Sequence, residues 1–182
     1  MYSRRTVGIA VGLAVLLIVG VIVLSKVFDT GGTGAGPTTP TTSSTPTTPA
    51  PRTGPVALVP VDAPDAGSPS CANLIAALPA TLTNAGAVLG RLPLAEPAPP
   101  ASAAWGDHGD PVVLRCGLAR PPELTPTSEL RAISGVSWLP VAGANASTWY
   151  VVDRSVIVAL TVPGNAGTGP LQEISETVGK AL

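Results

Sequence analysis

The sequence predicts an α+β fold: a two-layer antiparallel sheet with N- and C-terminal helices packed on one face, preceded by a transmembrane helix and a disordered stalk. Three observations carry this. An unbroken apolar run lies near the N-terminus, a Thr/Pro/Gly-rich stretch follows it, and residues 56–182 combine helical periodicity at both ends with alternating apolar positions between. The 182 residues are 45% hydrophobic, 3% aromatic and 12% charged, and the formal net charge of −1 excludes a strongly basic nucleic-acid binder. Two cysteines and one histidine fall short of zinc-finger or iron–sulfur ligand sets, and no cofactor is implied.

Val7 to Leu24 contains no polar side chain, and at ~1.5 Å rise per residue it approaches the ~30 Å hydrocarbon thickness of a bilayer. This is the membrane partner of the chain. Arg4 and Arg5 precede the run and Lys26 alone follows closely, so residues 1–6 are expected in the cytoplasm and the C-terminal part outside. The apolar core exceeds the ~7–15 residues of a secretory leader, and SKVFDT is a poor cleavage site, which favours an uncleaved signal anchor. Secretion after cleavage is the alternative. Gly8 and Gly12 form a G-x-x-x-G spacing that suits close helix approach, though glycine is common in membrane helices without it. Residues 25–55 form the stalk: small polar residues and prolines leave little to bury. In polyproline form Asp29–Pro55 would reach about 80 Å, and its Thr/Pro content fits an O-glycosylated spacer.

Residues 56–182 carry six basic and ten acidic side chains, a formal −4 that disfavours polyanions. Ser70 is expected to cap a short helix in which Cys71, Leu74, Ile75 and Leu78 share one face before Pro79 ends it. Val112–Leu118 reads as a strand with Val112, Leu114, Cys116 and Leu118 on one side and Val113, Arg115 and Gly117 on the other. Both cysteines therefore face inward. In an oxidising compartment the simplest outcome is a Cys71–Cys116 disulfide; the absence of C-x-x-C spacing argues against a redox-active pair.

Thr125–Pro126 is expected to open a helical turn through Arg131, and Gly135–Ala142, with Trp138, to form a strand. Thr148–Val152 and Ser155–Val162 alternate, and a two-residue Asp153–Arg154 turn would pair Val151 with Val156 and Trp149 with Val158. The opposite side carries Tyr150, Val152, Ile157 and Ala159, apolar enough to need cover. Pro170 suits the first turn of a final helix with Leu171, Ile174, Val178 and Leu182 as its buried stripe; Glu173 and Glu176 lie towards its positive end and Lys180 towards its negative end.

The run Ala104–Pro121, AWGDHGDPVVLRCGLARP, with CANLIAALP before it and GVSWLP and an Asp-Arg hairpin after it, resembles a family of actinobacterial membrane-anchored secreted proteins, domain of unknown function family 3515. The resemblance implies a cell-envelope location and no established catalytic residue. His108, Gly109 and Asp110 lengthen the loop between Trp105-Gly106-Asp107 and the proline.

Candidate chemistry is sparse. Asp107, His108 and Asp110 gather two carboxylates and the only imidazole in one loop, a composition that could serve a divalent metal or acid/base work but that more commonly makes a solvated turn before a strand. No G-x-S-x-G elbow accompanies His108, so serine hydrolysis lacks its motif. PGNAGTGP is a glycine-rich helix start without the lysine of a nucleotide loop, and reads as a connector. Arg115 either pairs with a carboxylate of its own domain or binds an acidic partner, and Trp105 either stacks on a ligand or fills the core. With Tyr150 and Ile157 these two make the candidate binding surface. The expected function is a non-catalytic binding or assembly module that meets an envelope protein or cell-wall component; a metal-assisted or acid/base envelope hydrolase using Asp107, His108 and Asp110 is the alternative.

Overall fold

The computed structural model describes residues 53–182. The expected anchor Val7–Leu24 and nearly all of the stalk lie outside them. Among the described residues no helix is long and apolar enough to cross a membrane.

The elements run α1 (Pro69–Ala77), β1 (Thr81–Asn84), β2 (Ala87–Leu92), β3 (Ser102–Gly106), β4 (Pro111–Leu118), β5 (Arg131–Ile133), β6 (Val136–Ala142), β7 (Ala146–Val151), β8 (Ile157–Pro163) and α2 (Gly169–Ala181). The fold is α+β. Eight antiparallel strands form one sheet in the order β1-β2-β3-β4-β8-β7-β6-β5. Laid flat, eight strands at ~4.8 Å would span more than about 30 Å. Yet α2, only 13 residues and so about 20 Å long, touches both edge strands, β1 and β5, as well as β6, β8 and α1. The sheet therefore curls around α2, and the helix layer lies in its concave face.

That inner face holds the core. Register rows place Trp138, Val151, Val158 and Cys116 side by side, all fully buried, with Leu160 and Leu114 in the adjacent row. Against them pack Cys71 and Leu74 of α1, Leu78 just after it, and Leu171, Ile174 and Val178 of α2. The disulfide forms as expected: Cys71 and Cys116 are bonded at an S–S distance of 2.02 Å, joining α1 to the sheet centre. One polar group enters the core. Ser175, wholly buried, accepts from Trp138 Nε1 at 2.9 Å and donates to the Leu171 carbonyl at 2.6 Å. These bonds satisfy the indole without opening the core to water.

Several expectations are corrected. The N-cap of α1 is Ser68, whose Oγ accepts from Cys71 N at 3.3 Å; Pro69 takes the first helical turn, which moves Ser70 inside the helix, where its hydroxyl meets that of Ser155. Leu118 leaves the inner face because a bulge at Gly117, φ +83°, lets Leu118 pair with Ile157 while Cys116 pairs with Val158. A Cβ on Gly117 would collide with the backbone of Asp65 and Ala66. The last hairpin pairs Val151 with Val158 and Trp149 with Leu160, two residues from the expected register. Asp-Arg lacks the positive-φ residue a tight turn needs. Instead Val152–Val156 forms a longer connection in which Asp153 accepts from Ser137 N and Arg154 donates to the Gly135 carbonyl. An even shift preserves which side chains face inward. Thr125–Arg131 is not helical: Ser128 Oγ accepts from Thr125 N at 2.8 Å and closes a turn, and Arg131 opens β5. In α2, Glu173 takes up the N–H of edge residue Thr83 at 2.9 Å, closing that edge. Strands β1 to β3 are additional to the expected elements: β1 and β2 lie in the weakly apolar stretch TLTNAGAVLGRL, and β3 in the five residues SAAWG.

Two segments outside the sheet lie on the outer face. The strap Val56–Ala66 bridges to Leu94, accepts from Arg115 through the Val59 carbonyl, and donates from Asp65 N to Gly117 O at 3.0 Å. The connection Ala119–Leu130 carries the chain from central β4 to edge β5, with its own Pro121 buried.

Candidate functional site

Antiparallel pairing brings four connections to one end of the sheet: Ala85–Gly86, Asp107–Asp110, Gly143–Asn145 and Gly164–Thr168. They are stitched to one another. Gly164 N donates to the Asn145 carbonyl at 2.8 Å, and Gly167 N donates to Asn84 Oδ1 at 2.6 Å. Gly169 approaches Thr83 so closely that a Cβ would meet its carbonyl. Glycine is needed there because backbone packs on backbone.

A concavity of about 170 Å³ opens between these turns, floored by Leu89, Trp105 and Val112 and rimmed by Asn84, Asp107, Asp110 and Asn165. A shallower depression continues from it past Asp110 and Asn165 to Asn145. On the other flank a cleft of about 190 Å³ lies between half-buried Trp149 and the start of α2, with Ser147 and Thr168 on its walls. No cationic side chain lines any of the three. The set offers amide and carboxylate acceptors around a small apolar floor, which suits hydroxyl- or amine-bearing ligands.

The three loop residues suggested by sequence are not brought together. Asp107 Oδ1 accepts from Gly109 N at 2.6 Å, an Asx-type turn that spends the carboxylate on its own loop. Asp107 and Asp110 border the first concavity, whereas His108 lines a different one, of about 340 Å³, with Thr53 to Leu58. Among the described residues no group of three His, Cys, Asp or Glu side chains is placed to hold a metal ion.

The other named residues separate by face. Arg115 and Tyr150 share an outer-face register row through Ala159, and Ile157 lies two residues along β8; all three are half-buried. Burial lowers the Arg115 pKa while Tyr150 acts in the opposite sense. The Tyr150 phenol is pushed above its ordinary value, first by burial, then by Glu123 of the crossing segment, with Arg115 opposing both. Trp105 is corrected. It lies on the inner face, wholly buried, with Nε1 donating to the Pro79 carbonyl at 3.0 Å and the Arg91 guanidinium 5.2 Å over its ring. It belongs to the core rather than to the Tyr150 surface. Asn84 and Asn145, in Asn/Gly-containing turns between strands, and Asn165, in the PGNAGTGP connector before α2, are further residues of this end that the sequence does not mark as a site.

Neither curated proteins nor solved structures give a match to this chain. A family model does, over residues 11–182, which include the tryptophan–glycine–aspartate loop, both bridged cysteines and the last hairpin and helix. The chain belongs to the family described as "Protein of unknown function (DUF3515)".

Proposed function

We propose that this is a non-catalytic binding or assembly module of an actinobacterial cell envelope, anchored through Val7–Leu24 with residues 56–182 outside the membrane. The apolar run and its flanking arginines support the anchor. The Cys71–Cys116 bond supports an oxidising compartment. One observation carries the choice of binding over catalysis: Asp107 is engaged within its own turn, and His108 opens onto a different concavity from the two carboxylates. An acid/base pair must reach the same reacting atom. The turn-rich end, with its amide and carboxylate rim, is the proposed contact surface for an envelope protein or wall component.

In-cell photocrosslinking tests this. A crosslinker at Asn145 or Asn165 should capture one defined envelope component, and one at Lys180, in the last turn of α2, should not. Equal capture from both positions, or none, sinks the reading. The hydrolase alternative predicts that replacing Asp107, His108 and Asp110 together by alanine abolishes complementation of a deletion strain. Full complementation by that variant removes it.

A further inference from the structure

Arg115 stands at the middle of the outer face, in the row Ser102, Arg115, Ala159, Tyr150 and Leu139, where Ala159 and Leu139 are buried. Its Nη2 donates to the Val59 carbonyl of the strap at 2.9 Å. The other donor on that edge of the guanidinium, Nε–H, is buried and without a hydrogen-bond partner among the described residues. Nor does Arg115 take part in an ion pair there; the only pair among the described residues joins Arg154 to Asp153. The residue as a whole is half-buried, yet a guanidinium N–H that is itself buried ordinarily has an acceptor. A single carbonyl offers one acceptor to an edge built of two parallel donors. A carboxylate offers two oxygens at the matching spacing and the missing negative charge.

We propose that the Nε–Nη2 edge of Arg115 is a carboxylate seat half filled by the Val59 carbonyl, and that an acidic side chain on an extended peptide takes it by displacing strap residues 56–61. The strap suits displacement. Val59 is 75% exposed and Val61 43%, so lifting residues 56–61 uncovers little apolar surface; Val56 is the only buried side chain among those six, and its two backbone bonds, to the Pro93 carbonyl at 2.8 Å and from Ala95 N at 2.9 Å, are ones an incoming extended peptide can remake. Displacement stops at Asp65–Ala66, where the backbone packs on Gly117, with the Cys71 bridge just beyond. The incoming peptide inherits an extended path beside Leu94 and reaches Arg115 next to the Tyr150 phenol. This site is on the other side of the sheet from the concave core and independent of the turn-rich end.

The test follows the Arg115 Nε–H resonance in ¹⁵N-labelled full-length protein in detergent, assigned through Arg115→Lys. The probes are an acetylated alanine–glutamate–alanine amide, its glutamine counterpart and inorganic phosphate at matched ionic strength. The glutamate peptide should shift the Nε–H signal saturably and speed amide exchange at Val56, while the glutamine peptide binds at least tenfold more weakly. Arg115→Lys keeps the charge but loses the edge, so its affinity for the glutamate peptide should fall at least tenfold with the buried Trp138 indole signal unmoved. No shift with the glutamate peptide overturns the proposal. So does an equal response to phosphate or to the glutamine peptide.

Discussion

At the scale of single residues, polar groups in apolar surroundings decide most. Ser175 is the clearest case, because its hydroxyl is the acceptor for the buried indole of Trp138 and an internal donor to its own helix. Ser175→Ala leaves that N–H without a partner and should cost about 1–3 kcal/mol, measured by denaturant unfolding. Trp138→Phe in the Ser175→Ala background should then add less than it does alone, since the shared bond is already gone. Tyr150 supplies a second expectation. Its folded-state pKa is raised above the ordinary phenol value, so the native state binds its proton more tightly than the unfolded chain does. The stability this gives is fully present below the unfolded pKa and is lost as pH rises through the higher folded value. Phenolate absorbance should therefore show one tyrosine titrating late, and Tyr150→Phe should flatten the alkaline loss of stability. Ionisation of Tyr150 at its ordinary pH would contradict both its burial and the repulsion from Glu123.

At the scale of elements, covalent and positional constraints set the arrangement. The Cys71–Cys116 bridge closes a sequence separation of 45 residues, for which loop entropy gives about 4 kcal/mol. Replacing both cysteines by alanine should lower unfolding stability by that order, with far-ultraviolet dichroism little changed if the helix and strand still pack. A loss well under 1 kcal/mol would place the constraint elsewhere. The helix and strand that carry the cysteines were legible because both put apolar residues at their proper period, 3.6 for α1 and 2 for β4. The weak elements were not. β1 and β2 are short and mix leucine and valine with threonine, asparagine, alanine and glycine, and α2 covers the edge strand β1 through Glu173 and Gly169. The Thr125 turn misled for a related reason: hydroxyls that cap a helix also close a turn, and only the distance to β5 tells the two apart.

At the scale of the whole molecule, the proposed function depends on which side of a membrane the domain occupies. A periplasm-active reporter fused after Leu182 should be active, and a cytoplasm-active one silent; the reverse pattern contradicts the envelope reading and the compartment inferred from the disulfide. The curled sheet divides the domain into a closed interior, a turn-rich end and a strapped outer face. Each candidate residue acquires its meaning from that division. Trp105 and Arg115 are ten positions apart and both flanked by apolar residues, yet one is sealed beneath Arg91 and Pro79 and the other carries an unmatched donor on the far side of the sheet.

The order of residue types along the chain was enough to establish the α+β class, the inward cysteines, the terminal helix and its stripe, because those features depend on periodicity and on which side chains avoid water. Tertiary structure alone decided the register of the last hairpin, the bulge at Gly117, the gathering of Asn84, Asn145 and Asn165 at one end, and the separation of His108 from Asp107 and Asp110. Those depend on where distant backbone groups find partners. A hydrogen bond such as that from Ser137 N–H to the Asp153 carboxylate outweighs a local turn preference only once the curled sheet has brought the two together.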